Sequence, residues 1–369
     1  MNPRLPSSDR PATSLPRRDF LHYLGAGALG LALSSRSAQA VDFGAGTAPP
    51  MDLSPGPKKL RGLFPIGQTP FTADDKLDLE SLAAQMPFCN RGGVHGFIWP
   101  QIASDWTMLT EPERMAGAEA LVAANKGGAT TLVIGVQSKT GDSAEVERYA
   151  KHAAKTGADA LCALPPANVT DEKVLLDYYQ QIGRMTALPL FVQSQGNMSV
   201  DLIVEMFKTI PTVRQVKDEA GVPLERIAEL RQKTNDQLHV FSGQGVRTMI
   251  NEMELGFVGH CPYTGLADVY AQTFDLWHAG KRQQAFDMFG RIMAFASLGT
   301  ADWSDVLAIR GVFKPGYKSR KAGGGGAGGG AAGKGGGGGG GGRAAGGPRL
   351  TDKEIRDALN TYMKPYLKA

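Results

Sequence analysis

From Arg61 to about Thr264 the chain alternates between short apolar runs and longer stretches in which apolar positions recur every three or four residues. The runs lie at Gly62–Ile66, His95–Pro100, Thr131–Gln137, Ala160–Leu164, Pro189–Ser194, Val213–Lys217, Leu238–Ser242 and Val258–Pro262. Their length and near-continuous apolar character predict strands buried on both faces, as in a parallel sheet. Helices are predicted to begin between them, near Asp78, Thr110, Ser143, Thr170, Ser199, Pro223 and Val246. Thr110-Glu111-Pro112-Glu113 sets a capping hydroxyl before a proline just inside a helix. Thr170 and Ser199 likewise stand as capping hydroxyls before periodic apolar stretches. Eight strands alternating with helices predict a (β/α)8 TIM barrel rather than an open sheet.

Past the eighth run, Leu266–Ala279, Lys281–Ala296 and an amphipathic segment around Ala301–Val312 predict a C-terminal helical extension. Barrel and extension together are assigned to residues 59–322. Residues 323–348 are almost wholly glycine with a few alanines, Lys334 and Arg343. Glycine at that density does not offset its ordering entropy by burial, so a flexible linker is predicted. It is not a phosphate loop, because it follows no strand and lacks the G-K-[ST] ending. In residues 349–369 Thr351 caps a predicted helix whose Ile355, Leu359, Met363 and Leu367 form one apolar face. That face either docks on the barrel or another subunit, or frays in solvent. With no core in the glycine tract, truncation at Ala322 is expected to leave stability nearly unchanged.

At the other end, Arg17-Arg18-Asp19-Phe20-Leu21 precedes an apolar run from Tyr23 to Leu33 and then Ala38-Gln39-Ala40. This order predicts a twin-arginine signal peptide over residues 1–40, cleaved after Ala40, with a linker over residues 41–58. The run is too short to span a bilayer, so no stable membrane insertion is expected. The mature protein is expected in the periplasm or otherwise exported. The composition, 42% hydrophobic and 21% charged, is that of a globular protein. The net charge of +4 comes without a basic stripe interleaved with aromatics, which argues against nucleic acid as a partner. Cys89, Cys162 and Cys261 sit apart in apolar surroundings and read as buried small hydrophobes. Nothing in their spacing suggests a metal site, and no cofactor is called for.

Lys217 carries the chemistry. It ends the strand-like run Val213-Arg214-Gln215-Val216-Lys217, and Asp218-Glu219-Ala220-Gly221 follows at once. In a closed barrel this side chain points into a confined space. Burial in an apolar strand is expected to lower its pKa, and the neutral amine can then attack a carbonyl to form a Schiff base. Gln215 lies two residues earlier, on the same side of the strand.

The residues around Lys217 are not alone in suggesting a family. Gly62-Leu63-Phe64-Pro65, Thr69-Pro70-Phe71 and Leu77-Asp78-Leu79 resemble the opening of the dihydrodipicolinate synthase / N-acetylneuraminate lyase family. So do Gly93-Val94-His95-Gly96, Leu109-Thr110 with Glu113-Arg114, Pro165-Pro166, Gly243, and Glu254-Leu255-Gly256 before Gly259. Lys217-Asp218 stands where the family carries its Schiff-base lysine. The resemblance covers roughly Lys59 to Arg320. It implies a (β/α)8 barrel, assembled as a homo-oligomer (tetramer or dimer), that binds 2-oxo acids such as pyruvate covalently and makes or breaks an adjacent carbon–carbon bond. It also places Thr69 beside the substrate.

The departures from the family are equally specific. Its Gly-Thr-Thr-Gly-Glu loop after the second strand appears here as Gln101-Ile102-Ala103-Ser104-Asp105, without the two adjacent hydroxyls. Its proton-shuttling tyrosine at the end of strand five aligns with Gln193, and an amide does not exchange a proton as a phenol does. The arginine that anchors a dicarboxylate falls in Gln195-Gly196-Asn197, and the aromatic pair after strand four is replaced by Ala167-Asn168. Dihydrodipicolinate synthesis is therefore not expected. Instead Gln68, Gln101, Gln137, Gln193 and Gln244 each fall at the C-terminal end of a different predicted strand, the face from which such barrels present catalytic groups. Amides suit a hydroxyl-rich, weakly charged ligand such as a sugar acid.

The expected function is a Schiff-base lyase or aldolase acting on a 2-oxo acid. Lys217 is its nucleophile, and Gln193 and Tyr263 are further catalytic candidates. Thr69, Gln101, Ile102, Ala103, Asp105, Gln137, Gln195, Asn197 and Gln244 are the candidate substrate contacts. Tyr263 is the nearest substitute phenol and His260 a weaker one. The alternative is a barrel that keeps the pocket as an exported binding protein without turnover.

Overall fold

The computed structural model describes residues 60–243, 246–298, 302–320 and 349–368. The expected signal peptide and linker, Gln244 and the glycine tract lie outside the described residues.

All eight strands form where the apolar runs lie. They are β1 Gly62–Leu63, β2 Gly96–Trp99, β3 Thr131–Gly135, β4 Ala160–Ala163, β5 Leu190–Gln193, β6 Val213–Asp218, β7 His239–Ser242 and β8 Gly259–His260. They pair in parallel in the order β1-β8-β7-β6-β5-β4-β3-β2. The remaining seam is drawn together by a bridge between Ile66 and Ile98, with Ile98 N donating to Pro65 O at 3.0 Å and Gly67 N to Ile98 O at 2.9 Å. The result is a (β/α)8 TIM barrel.

The helices are α1 Leu79–Gly92, α2 Glu111–Ala124, α3 Ser143–Thr156, α4 Glu172–Met185, α5 Val200–Thr209, α6 Pro223–Thr234 and α7 Met249–Leu255, one after each of the first seven strands. The extension is α8 Ala267–His278, α9 Arg282–Ser297 and α10 Trp303–Ile309, and α11 Asp352–Ala358 follows the glycine tract. Thr110 and Glu113 form a reciprocal capping box on α2, and Ser199 caps α5. Two expected starts move. Asp171, not Thr170, caps α4, because its carboxylate accepts from both Lys173 N and Val174 N and its charge suits the helix N-terminus. The helix expected near Val246 begins at Met249, because Val246 itself is left-handed, with φ 58°.

Two apolar cores follow from strand alternation. Inside the barrel lie Phe64, Ile66, Ile98, Val133, Cys162, Phe191, Phe241 and Cys261. The rings of Phe64, Phe191 and Phe241 meet pairwise at centroid distances of 5.1–5.7 Å and plug the barrel. Residues of opposite parity, such as Leu63, Phe97, Val192 and Val216, pack outward against the helices. The cysteines are buried and unpaired, as expected. Among the described residues no helix is long and apolar enough to cross a membrane.

The C-terminal segment corrects the expectation of a dispensable tail. Ile355, Leu359 and Met363 are buried in the same core as the barrel helices. Polar ties accompany them: Gln272 Nε2 donates to Tyr366 O at 2.7 Å, and Lys368 N to Asp268 Oδ2 at 2.8 Å. Arg310 grips the same Asp268 carboxylate at 2.8 Å from within the extension. This face packs on α9 and α10.

Candidate active site

Along β6, Val216 faces the helices, so Gln215 and Lys217 face the barrel axis. Lys217 acts electrostatically on the thiols of Cys162 and Cys261, both members of the interior core. Among the described residues it is the one buried lysine, 4% exposed. Its Nζ lies 3.1 Å from Glu219 Oε1. The other carboxylate oxygen, Oε2, accepts from Gln193 Nε2 at 2.6 Å. Gln193 and Lys217 are register partners across β5 and β6, so amide, carboxylate and ammonium form one chain over the strand ends.

The turn that carries Glu219 is fixed from below. Ser194 Oγ donates to Asp218 Oδ1 and accepts from Glu219 N at 3.1 Å and Ala220 N at 3.3 Å. Arg226 Nε lies 3.3 Å from the other Asp218 oxygen, and its Nη1 donates to Met198 O at 2.7 Å. Gly243, at the end of β7, leaves the space these groups need. A Cβ there would lie 2.1 Å from Glu219 Oε1 and 2.4 Å from Lys217 Cε.

The electrostatics correct the expected direction for Lys217. Burial is the largest single influence and pulls its ammonium down, but the Glu219 carboxylate and the Cys261 and Cys162 thiols together more than offset it, and the pKa is raised above the ordinary lysine value. The apolar strand alone would have given the lowered value; a carboxylate two residues away reverses it. The resting lysine is therefore an ammonium paired with a carboxylate. Burial is the largest influence on Tyr263, and its phenol is pushed up to about 12.

A second polar group sits where β2 and β3 end. Gln101 and Gln137 are buried, with Gln101 Nε2 3.4 Å from Gln137 Oε1, and Gln137 Nε2 donates to Pro100 O at 2.9 Å. Arg114 of α2 caps this strand end, donating to Gln137 O at 2.6 Å and Gly135 O at 2.8 Å. The loop after β2 forms two 3-10 turns, Ile102–Ser104 and Trp106–Met108, joined by Asp105 in a left-handed conformation. Ala103 packs on the interior core, whereas Ile102 is 44% exposed. The Thr69 hydroxyl anchors this loop: it donates to Ser104 O at 2.6 Å and accepts from Trp99 Nε1 at 3.0 Å.

The other candidates separate. Tyr263 is half-buried, stacks on Trp303 at 5.5 Å, and feels the charges of Lys217 and Glu219. Gln195 is half-buried and Asn197 exposed on the loop after β5. Gln68 folds back to donate to Ile66 O at 3.1 Å. His260 faces away from the axis: its Nδ1 pairs with Glu252 Oε2 at 2.8 Å and its ring meets Phe274. That makes it a packed residue, not a substitute for the phenol. Sequence reasoning missed Glu219 and Ser194. The signal for Glu219 was its even spacing from Lys217, obscured because Asp-Glu-Ala-Gly reads as an exposed turn.

The chain is 27% identical over 207 residues to a 4-hydroxy-tetrahydrodipicolinate synthase of Rhizobium meliloti, covering 54% of this chain and 67% of the synthase. It is 32% identical over 136 residues to an Escherichia coli protein named "probable 2-dehydro-3-deoxy-D-pentonate aldolase", covering 37% of this chain and 44% of that one. The matches thus span about two thirds or less of these relatives' own length. A crystal structure of dihydrodipicolinate synthase from Rhodopseudomonas palustris superimposes with a TM-score of 0.66, covering 83% of this chain and 97% of that one; at 21% identity this likeness speaks for the fold alone. The sequence profile of the dihydrodipicolinate synthetase family matches residues 59–307, and the chain belongs to that family.

Proposed function

We propose that the protein is a Schiff-base lyase or aldolase that acts on a 2-oxo acid of the pyruvate or keto-deoxy sugar acid type, and that dihydrodipicolinate is not its product. The observation that carries this reading is Lys217: among the described residues the one buried lysine, at the C-terminal end of β6 and facing the axis of a barrel of this family. Once deprotonated, its amine adds to C2 of the oxo acid, and loss of water leaves an iminium that accepts the electron pair of the neighbouring C3–C4 bond while the C4 hydroxyl gives its proton to a base and becomes a carbonyl. The buried amides favour a neutral, hydroxyl-rich substrate tail. Oε1 of Gln101 and Oε1 of Gln193 are buried and have no hydrogen-bond partner among the described residues, which suits them to accept from hydroxyls. Action outside the cytoplasm after twin-arginine export, and assembly as a homo-oligomer, belong to the same proposal.

The test is turnover. Keto-deoxy sugar acids of several lengths are incubated with the full chain, and pyruvate release is followed by NMR. The expected result is release from at least one of them, abolished by Lys217→Arg because a guanidinium stays protonated. Release that persists in Lys217→Arg would remove Lys217 from the chemistry.

A further inference from the structure

The family's tyrosine at the end of β5 is here an amide, so the protons of imine chemistry need another carrier. Glu219 is the group in place. One carboxylate oxygen touches Lys217 Nζ at 3.1 Å; the other is held by Gln193 Nε2 at 2.6 Å. The side chain is 15% exposed against 5% for Lys217, and it follows directly on the C-terminal end of β6. Its backbone is locked by Ser194 and its space is secured by Gly243. Substrate carbon C2 must sit one bond from Nζ and C3 two bonds away, within hydrogen-bond reach of an oxygen already touching Nζ.

We propose that Glu219 is the acid–base group of this site, moving the protons that a tyrosine phenol moves elsewhere in the family, with Gln193 as its positioning residue. The proposal rests on the lyase reading above. The Glu219 carboxylate takes a proton from the Lys217 ammonium. The amine adds to C2: the N–C bond forms and the carbonyl π pair moves to oxygen. A proton passes from nitrogen to that oxygen, giving a hydroxyl. Glu219 then returns its proton to the hydroxyl, which leaves as water while the nitrogen lone pair forms C=N. The ammonium's three protons end as one on the iminium and two in water, and Glu219 is again a carboxylate. It next removes a proton from C3; the C–H pair becomes the C2=C3 bond of an enamine, and the C=N π pair returns to nitrogen. Gln193 exchanges no proton. It fixes one carboxylate oxygen so that the other faces Nζ.

The titratable groups facing Lys217 are Glu219 on its own strand end, Cys162 on β4, and Cys261 and Tyr263 after β8. Burial pushes the two thiols and the phenol up, so all three are neutral at pH 7. Replacing Glu219 by glutamine removes the main influence raising the Lys217 pKa and leaves the burial that lowers it. The free-amine fraction at neutral pH therefore rises while the proton carrier is lost.

The experiment uses the full chain and pyruvate. Imine is read as borohydride-fixed mass on the Lys217 peptide after equilibration. Enamine formation is read as exchange of the pyruvate methyl protons for deuterium. In Glu219→Gln, labelling at pH 7 is expected to equal or exceed that of the wild type, while exchange falls by about 100-fold or more, the scale of general acid–base catalysis. A role as counter-ion alone leaves exchange at the wild-type rate, and that result overturns the proposal. So does a wild type that is labelled but does not exchange. A wild type that is not labelled defeats the lyase reading itself, and the role of Glu219 with it. Should glutamine unfold the protein, Glu219→Asp keeps an acid and Glu219→Asn removes it at the same length. Exchange that survives in the first and is lost in the second supports the role, and equal exchange in both overturns it.

Discussion

At the scale of single residues, the site turns on a pair that sequence reading half saw. Lys217 was legible because a lysine ending an apolar strand is unusual, and strand alternation aimed it inward. Its charge state was not, because the partner, Glu219, sits in a stretch whose composition reads as a solvated turn. Only the closure of the barrel, with Ser194 gripping the turn from β5, brings that carboxylate back over the lysine. Gly243 offers a direct probe of this packing. Its backbone tolerates a side chain, but a Cβ would lie 2.1 Å from Glu219 Oε1. Gly243→Ala is expected to separate the Lys217–Glu219 pair, slow imine formation at least tenfold, and cost about 1–3 kcal/mol by overpacking. Kinetics of pyruvate labelling and a denaturant melt read the two effects. Wild-type labelling in that variant would mean the pair tolerates rearrangement.

At the scale of elements, every strand and helix of the barrel was readable from periodicity, and the shifts have local causes. Asp171 captured the start of α4 with two N–H bonds, and the left-handed Val246 delayed α7. The C-terminal segment was harder, because nothing in a glycine-flanked sequence says which surface its apolar face meets. The structure answers with Ile355, Leu359 and Met363 buried against the extension. Each such side chain contributes about 1.5–3 kcal/mol on burial. Truncation at Ala322 is therefore expected to lower stability by at least about 2 kcal/mol, after the entropy of docking the segment is discounted. Thermal melts of the truncated and full chains check this. An unchanged midpoint would mean that the segment does not hold the extension.

At the scale of the whole molecule, the count of strands gave the barrel, and the barrel explains why a short polar stretch can become an active site. The helical extension around it half-buries a titratable group that takes no part in the chemistry. His278 lies over Phe274 at 4.2 Å, its Nε2 has no hydrogen-bond partner among the described residues, and burial pulls its pKa down to about 4, assisted by nearby His260, Arg282 and Arg61. Above the ordinary histidine value both folded and unfolded chains hold it neutral. As pH falls below that value the unfolded chain binds the proton first, so stability drops until about pH 4. The loss should approach about 2 kcal/mol after allowance for partial solvation. His278→Phe should flatten this limb in melts taken between these limits; an unchanged limb would place the acid sensitivity elsewhere. The central claim is covalent chemistry at Lys217, and reductive trapping tests it most directly. The full chain is equilibrated with pyruvate, reduced with borohydride, digested and weighed. The expected result is one added substrate residue on the peptide containing Lys217, absent in Lys217→Arg. A folded protein that takes up no label, or takes it up at another lysine, would contradict it.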